Sequence, residues 1–258
     1  MTEEEKTTKK KKKEGKEEKQ MPFTDHLEEL RVRLFKVIGS ILGFGVIAYF
    51  FHERVLNFLT LPNPDVELIS LAPMQMFIVS IKLSFYAGVI FSIPVIVYQL
   101  WQFIAPGLFP KERKLIFPIL FFTIICFALG AVFSYSVIIP YGLKFFMGFQ
   151  TEEIIAKWSI DKYIDFVTMM VMVFGIIFEM PLIALFLGRV GLISSRLMKK
   201  YRKFSIVGAV IIGAVLTPPD GFTQIALAIP MVILYEVSIL LVKMVEKKKK
   251  EKEDEDDE

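Results

Sequence analysis

Six apolar runs divide this chain, and they leave few folds open to it. A helix that crosses the roughly 30 Å hydrocarbon core of a bilayer needs about 20 mostly apolar residues. Leu34–Phe51, Met74–Leu100, Leu115–Tyr141 and Tyr163–Gly188 meet or approach that length. Two further runs, Phe204–Leu216 and Phe222–Val242, are joined by Thr217-Pro218-Pro219-Asp220-Gly221. Pro218 and Pro219 fix φ twice, so that linker, with Asp220, predicts a compact structural turn. At about 1.5 Å per residue the fifth run is short for an average bilayer. It is either a re-entrant or buried helix, or half of a short hairpin with the membrane thinned around it. The hairpin is preferred, because only six spans make the flanking charges consistent.

Those charges lie mainly at the ends of the chain and in short clusters, although 54% of all residues are hydrophobic. So much apolar surface would leave no polar shell for a water-soluble fold. With the N-terminus in the cytoplasm, the inside segments carry Arg31, Arg33 and Lys36, then Lys111, Arg113 and Lys114. They continue with Arg189, Arg196, Lys199, Lys200, Arg202 and Lys203, and end with Lys243 and the tail lysines. The outside segments carry only Arg54, Lys144, Lys157 and Lys162. Inside loops of membrane proteins are enriched in Lys and Arg. The sequence therefore predicts an all-α membrane domain over residues 21–245, with six transmembrane helices and both termini cytoplasmic. Residues 1–20 and 246–258, rich in Lys and Glu, are expected to be disordered charged tails. Pro94, Pro118, Pro140, Pro181 and Pro230 fall in or near the predicted helices, and several kinks together would bend the bundle into a concave shape.

Glu179 is the costliest residue in the spans, sitting in Phe178-Glu179-Met180-Pro181. An ionisable group there costs on the order of 2.5–3.5 kcal/mol on insertion scales, so it marks a functional position by default. It would line a watery concavity, meet a polar residue on another protein's helix, or bond to backbone freed by Pro181. Gln224 is a weaker case of the same kind. Lys82 can snorkel outward, and Glu236 needs a partner that the sequence does not identify. One cysteine and two histidines leave little for a metal site.

Ahead of the first span, Phe23-Thr24-Asp25-His26-Leu27-Glu28-Glu29-Leu30-Arg31 reads as an amphipathic helix. Leu27, Leu30 and Leu34 form its apolar stripe, and Glu28, Glu29 and Arg31 its polar side. The first inside loop, from Trp101 to Lys114, is stiffened by Pro106, Gly107 and Pro110, and Glu112 is the one acid among three bases at its end.

Taken in order, five motifs closely resemble the TatC family, receptor subunits of the twin-arginine protein translocase. They are His26-Leu27-Glu28-Glu29-Leu30-Arg31-Val32-Arg33-Leu34, Pro94 with Tyr98 to Leu108, Lys111-Glu112-Arg113, Phe178-Glu179-Met180-Pro181, and Leu216-Thr217-Pro218-Pro219-Asp220. The resemblance covers Met21 to about Val245. It implies a receptor in the bacterial inner membrane that binds twin-arginine signal peptides on its cytoplasmic face. It also implies recruitment of single-span partner subunits of the TatA and TatB type, and export of folded cargo driven by the proton-motive force. Carried over, Glu29 and Glu112 read the arginines, with Arg31 and Phe103 in support, and Glu179 and Gln224 meet the partner subunits. Planar guanidinium groups suit this chemistry, because they engage carboxylates bidentately and Lys does not. The expected surroundings are the lipid bilayer, with self-association left open. The chain is not expected to be an enzyme or to need a cofactor, a metal or a nucleic acid. The alternative is a proton-coupled secondary transporter using Glu179, although residues 34–141 and 163–242 show no repeat of each other.

Overall fold

The computed structural model describes residues 23–61, 67–105, 116–149, 157–216 and 221–256. Helix α1 (Phe23–Phe50) is followed by the short α2 (His52–Thr60) and by α3 (Gln75–Ile104). Next, α4 (Ile116–Phe133) runs through a π-helical turn (Ser134–Ile138) into α5 (Ile139–Met147). Helices α6 (Ile160–Ile177) and α7 (Met180–Val190) form a second interrupted pair. The short α8 (Ser195–Lys200), α9 (Arg202–Leu216) and the long α10 (Gly221–Asp256) complete the order. Two short strands, β1 (Leu68–Ile69) and β2 (Trp158–Ser159), pair in parallel, Leu68 opposite Trp158.

Among the described residues, five helical stretches, His26–Phe50, Gln75–Ile104, Phe117–Met147, Ile160–Val190 and Leu227–Lys248, are long and apolar enough to cross a membrane. Helix α9, with 15 residues, is shorter. It packs against α10, and at Gly213 an added Cβ would lie 3.0 Å from the Gln224 carbonyl. The chain is thus a mostly helical membrane protein, with an expected sixth span that rests on this short hairpin.

The prolines interrupt the helices in different ways. Pro140 cannot donate a backbone hydrogen bond, and the π turn just before it absorbs the change of register, with the Ile139 N–H reaching back to the Ser134 carbonyl. At the second interruption the Glu179 N–H bonds three residues back to Ile176, and α7 restarts with Pro181 in its first turn. Pro94 and Pro230 lie inside continuous helices. Helix α7 closes on Gly191, whose φ of 88° lets the Leu192 N–H return to the Leu187 carbonyl.

The main core joins α3, α5 and α6 through Leu83, Leu143, Tyr163, Val167, Met170 and Phe174, each 1% exposed or less. Glycine sets two close crossings. A Cβ at Gly88 of α3 would lie 2.6 Å from the Ile41 carbonyl of α1, and one at Gly130 of α4 would lie 2.4 Å from the Phe174 carbonyl of α6. Small residues of this kind let membrane helices approach closely. The start of α1 lies beside the end of α3, and the end of α10 beside the end of α7; Trp101 of α3 meets Phe186 of α7 with ring centroids 4.5 Å apart. These four helix ends mark one end of the bundle, called the near end below.

At the opposite, far end, Gln75 is buried and ties three segments together. Its side chain accepts the Leu71 N–H and donates to the Ser159 hydroxyl at 2.6 Å and to Asp161 at 2.5 Å. Tyr163 donates to the Leu59 carbonyl at 2.9 Å, and Tyr135 to that of Phe58, which pins the end of α2 to the bundle.

Two expectations change here. Lys82 does not snorkel away: it donates to both carboxylate oxygens of Asp165 at 2.8 Å, joining α3 to α6. An ion pair serves both groups better than either does alone in an apolar medium. Helix α10 also continues to Asp256, past Val245, where the sequence reading begins a disordered tail. Lys and Glu are good helix formers. Glu246 is fastened by the Ser195 N–H and hydroxyl, and Lys247 pairs with Glu251 one turn on. Residues 1–20 lie outside the described residues.

Asp165→Leu leaves Lys82 unpaired and is expected to cost about 3 kcal/mol. The double variant Lys82→Met/Asp165→Leu should regain most of that loss, because it removes both charges together. Unfolding midpoints in detergent measure this cycle, and additive losses in the double variant would contradict it.

Candidate functional site

At the near end, His26, Glu29 and Arg33 occupy positions i, i+3 and i+7 of α1, which brings them onto one helical face. That face turns toward α3. Arg33 donates from Nε to Glu29 Oε1 at 3.0 Å, and its Nη2 donates to the same oxygen. Its Nη1 reaches across to Gln99 Oε1 at 3.3 Å and Gln102 Oε1 at 3.1 Å. Gln102 in turn donates to the Tyr98 hydroxyl at 2.6 Å. The His26 ring lies flat on Phe103, with centroids 4.2 Å apart and planes 12° from parallel.

The arrangement leaves one acceptor over. Glu29 Oε2 is buried with no hydrogen-bond partner among the described residues. His26 Nδ1 stands 3.6 Å from it, too far for a hydrogen bond. A second guanidinium that reached this buried oxygen would satisfy it without displacing that of Arg33. The aromatic floor of His26 and Phe103 lies beside it.

The other expected residues are distributed differently. Glu28 is exposed. Arg31 is exposed too, and its guanidinium lies 5.7 Å from the centroid of the Phe35 ring. Glu112 lies outside the described residues, in the segment that joins α3 to α4, and so do Pro218, Pro219 and Asp220. Arg33, Gln99 and Gln102 were not singled out from the sequence. The available signal was the four-residue spacing from Glu29 to Arg33 and the one-turn spacing of the two glutamines.

Glu179 stands where α6 breaks, half-buried. Its carboxyl meets the Thr123 side chain and the Phe127 backbone of α4. Oε1 has no hydrogen-bond partner, and Glu179 forms no ion pair, among the described residues. Gln224 is half-buried on α10 and donates to the Val210 carbonyl of α9 at 3.1 Å. Glu179 therefore leans on α4 and Gln224 on α9. Glu236, left without a partner by the sequence, takes Arg202 at 2.6 Å.

Bundle and site together define a helical membrane protein that holds a carboxylate with one unsatisfied oxygen at one end and a second, half-buried carboxyl at a helix break. The family profile of the Sec-independent protein translocase protein (TatC) matches residues 25–230. A Sec-independent protein translocase protein TatC of Aquifex aeolicus is 42% identical over 235 residues, covering 88% of this chain and 97% of its own. A protein of the same name from Desulforapulum autotrophicum is 40% identical over 239 residues, covering 90% of this chain and 88% of its own. A crystal structure of a twin-arginine translocase receptor, TatC, superimposes with a TM-score of 0.77 at 41% identity, over 85% of this chain and 99% of that one. The chain belongs to the TatC family. That family is a component of a protein translocase rather than a classical enzyme, which sets the secondary-transporter alternative aside.

Proposed function

We propose that this chain is the signal-peptide receptor of a twin-arginine translocase, with the near end of the bundle as its reading face. The supporting observation is the buried, unsatisfied Oε2 of Glu29 beside the His26–Phe103 stack. In this reading one arginine of the signal peptide docks on Glu29 and the second on Glu112, while Phe103 packs against the aliphatic stems and Arg31 flanks the site. Arg33 positions Glu29 and neutralises part of its charge, so only a donor with directed N–H groups gains fully from the site. The near end faces the cytoplasm of a bacterial inner membrane, six helices cross that membrane, and both termini are cytoplasmic. Folded cargo then leaves under the proton-motive force, through a path assembled with TatA- and TatB-type single-span partners. Self-association of the receptor is compatible with this arrangement.

A hydrogen bond to a charged group contributes about 1.5–3 kcal/mol net, so losing one directed pair weakens binding roughly tenfold or more. An Arg-Arg signal peptide should therefore bind the detergent-solubilised protein about tenfold tighter than its Lys-Lys counterpart, with Glu29→Gln reducing the difference. Equal binding of the two peptides by fluorescence anisotropy would remove the basis for the reading.

Glu179 and Gln224 are assigned to partner docking. The carboxyl of Glu179 has no ion-pair partner among the described residues and sits at a helix break. A polar residue on a partner's helix would complete its hydrogen bonding, a contact worth roughly 0.6–2 kcal/mol in lipid. Glu179→Ala is expected to leave Arg-Arg peptide binding unchanged while lowering co-purification of the single-span partners severalfold. Loss of peptide binding with partner assembly intact would place Glu179 in the other step.

A further inference from the structure

Where α7 ends and α8 is fastened against α10, a pocket of about 710 Å³ opens at the near end. It lies away from the Glu29 site and plays no part in the reading above. Its lining includes three cations, Arg196, Lys243 and Lys247, against one carboxylate, Glu246. That carboxylate is already engaged, taking the Ser195 N–H at 2.9 Å and its hydroxyl at 2.5 Å. Lys247 stands 3.5 Å from Glu251 in an exposed pair of the kind that contributes little. Arg196 and Lys243 are both exposed and have no ion-pair partner among the described residues.

The surroundings are as informative as the charges. Leu192, Leu197 and Met244, each adjacent in sequence to a lining residue, are exposed at 68%, 44% and 60%. The pocket lies where the apolar stretch of α10, Leu227–Lys248, is ending. Unpaired cations and exposed apolar side chains thus alternate along the same short segments of chain. A soluble anion would answer only the cations, whereas a phosphate carried on acyl chains answers both. Basic pockets between helices at this depth suit anionic headgroups. We infer that the pocket formed by Arg196, Lys243 and Lys247 binds the phosphate headgroup of an anionic phospholipid, whose chains lie along Leu192, Leu197 and Met244.

The test uses the full chain in detergent micelles doped with phosphatidylglycerol or phosphatidylcholine, with retained lipid counted by native mass spectrometry. Phosphatidylglycerol should be retained in preference, and Arg196→Gln/Lys243→Gln should reduce its retention by about fivefold for each cation removed. The charge-conserving variant Arg196→Lys/Lys243→Arg should keep most of it, which separates loss of charge from loss of fold. Lys157→Gln at the far end should change nothing. Excess inorganic phosphate should displace little lipid, and full displacement would identify free phosphate as the ligand and overturn the lipid assignment. Equal retention of both lipids, or a neutral double variant that behaves as wild type, would also overturn it. So would a charge-conserving variant that loses as much as the neutral one.

Discussion

Helix α1 is held to the bundle chiefly by one neighbour, α3, and its remaining surface is open. The seam between them is possible because Gly45 and Gly88 meet backbone to backbone, where any larger side chain at Gly88 would collide with the Ile41 carbonyl. In lipid the hydrophobic effect does not press two helices together, so close packing and polar contacts must do so. Arg33 supplies those polar contacts at the near end, bonding Glu29 on its own helix and Gln99 and Gln102 on the other. Helix packing and the candidate site are therefore one construction. The crossing brings Arg33 to α3, Arg33 fixes the Glu29 carboxyl, and the opposite oxygen of that carboxyl is left unsatisfied.

Elsewhere the bundle follows the same economy with charge. Lys82 and Asp165 join α3 to α6, Arg202 and Glu236 join α9 to α10, and Glu246 fastens α8. At the far end Gln75 gathers the segments that carry β1 and β2. These polar groups find partners on different elements and serve as joints between helices that are otherwise apolar. Glu179 differs in having no ion pair among the described residues: its contacts on α4 are a hydroxyl and backbone, and one oxygen is unsatisfied. That departure is the physical reason to connect it with another molecule.

The parts of the structure that were legible in the sequence are those governed by local pattern. Leu27, Leu30 and Leu34 read as the apolar stripe of an amphipathic helix, and all three lie exposed on α1. The apolar runs became helices, and Pro140 and Pro181 marked the interruptions, although a π turn and an i→i−3 turn were needed to absorb them. Long-range pairing was not legible. Asp165 lay inside an expected span and passed unnoticed, because nothing within one chain shows that it stands opposite Lys82, 83 residues earlier. Of the two arginines in the motif, the resemblance singled out Arg31 and not Arg33. Only the rotation of α1 against α3 separates them, sending Arg33 inward to Glu29 and Arg31 outward over Phe35. The length of α10 was misjudged for another reason. Composition suggested a disordered tail, while helix propensity and the anchor at Glu246 favour continuation.

The central claim is that the α1–α3 seam at the near end receives the twin-arginine segment. A photoreactive residue in place of Phe103 tests it most directly, with the same residue in place of Met76, an exposed position at the far end, as the comparison. A twin-arginine signal peptide should crosslink from position 103 and not from 76, and a Lys-Lys peptide should crosslink from 103 far less. Crosslinking from 76 in preference to 103, or equal capture of both peptides at 103, would contradict the account.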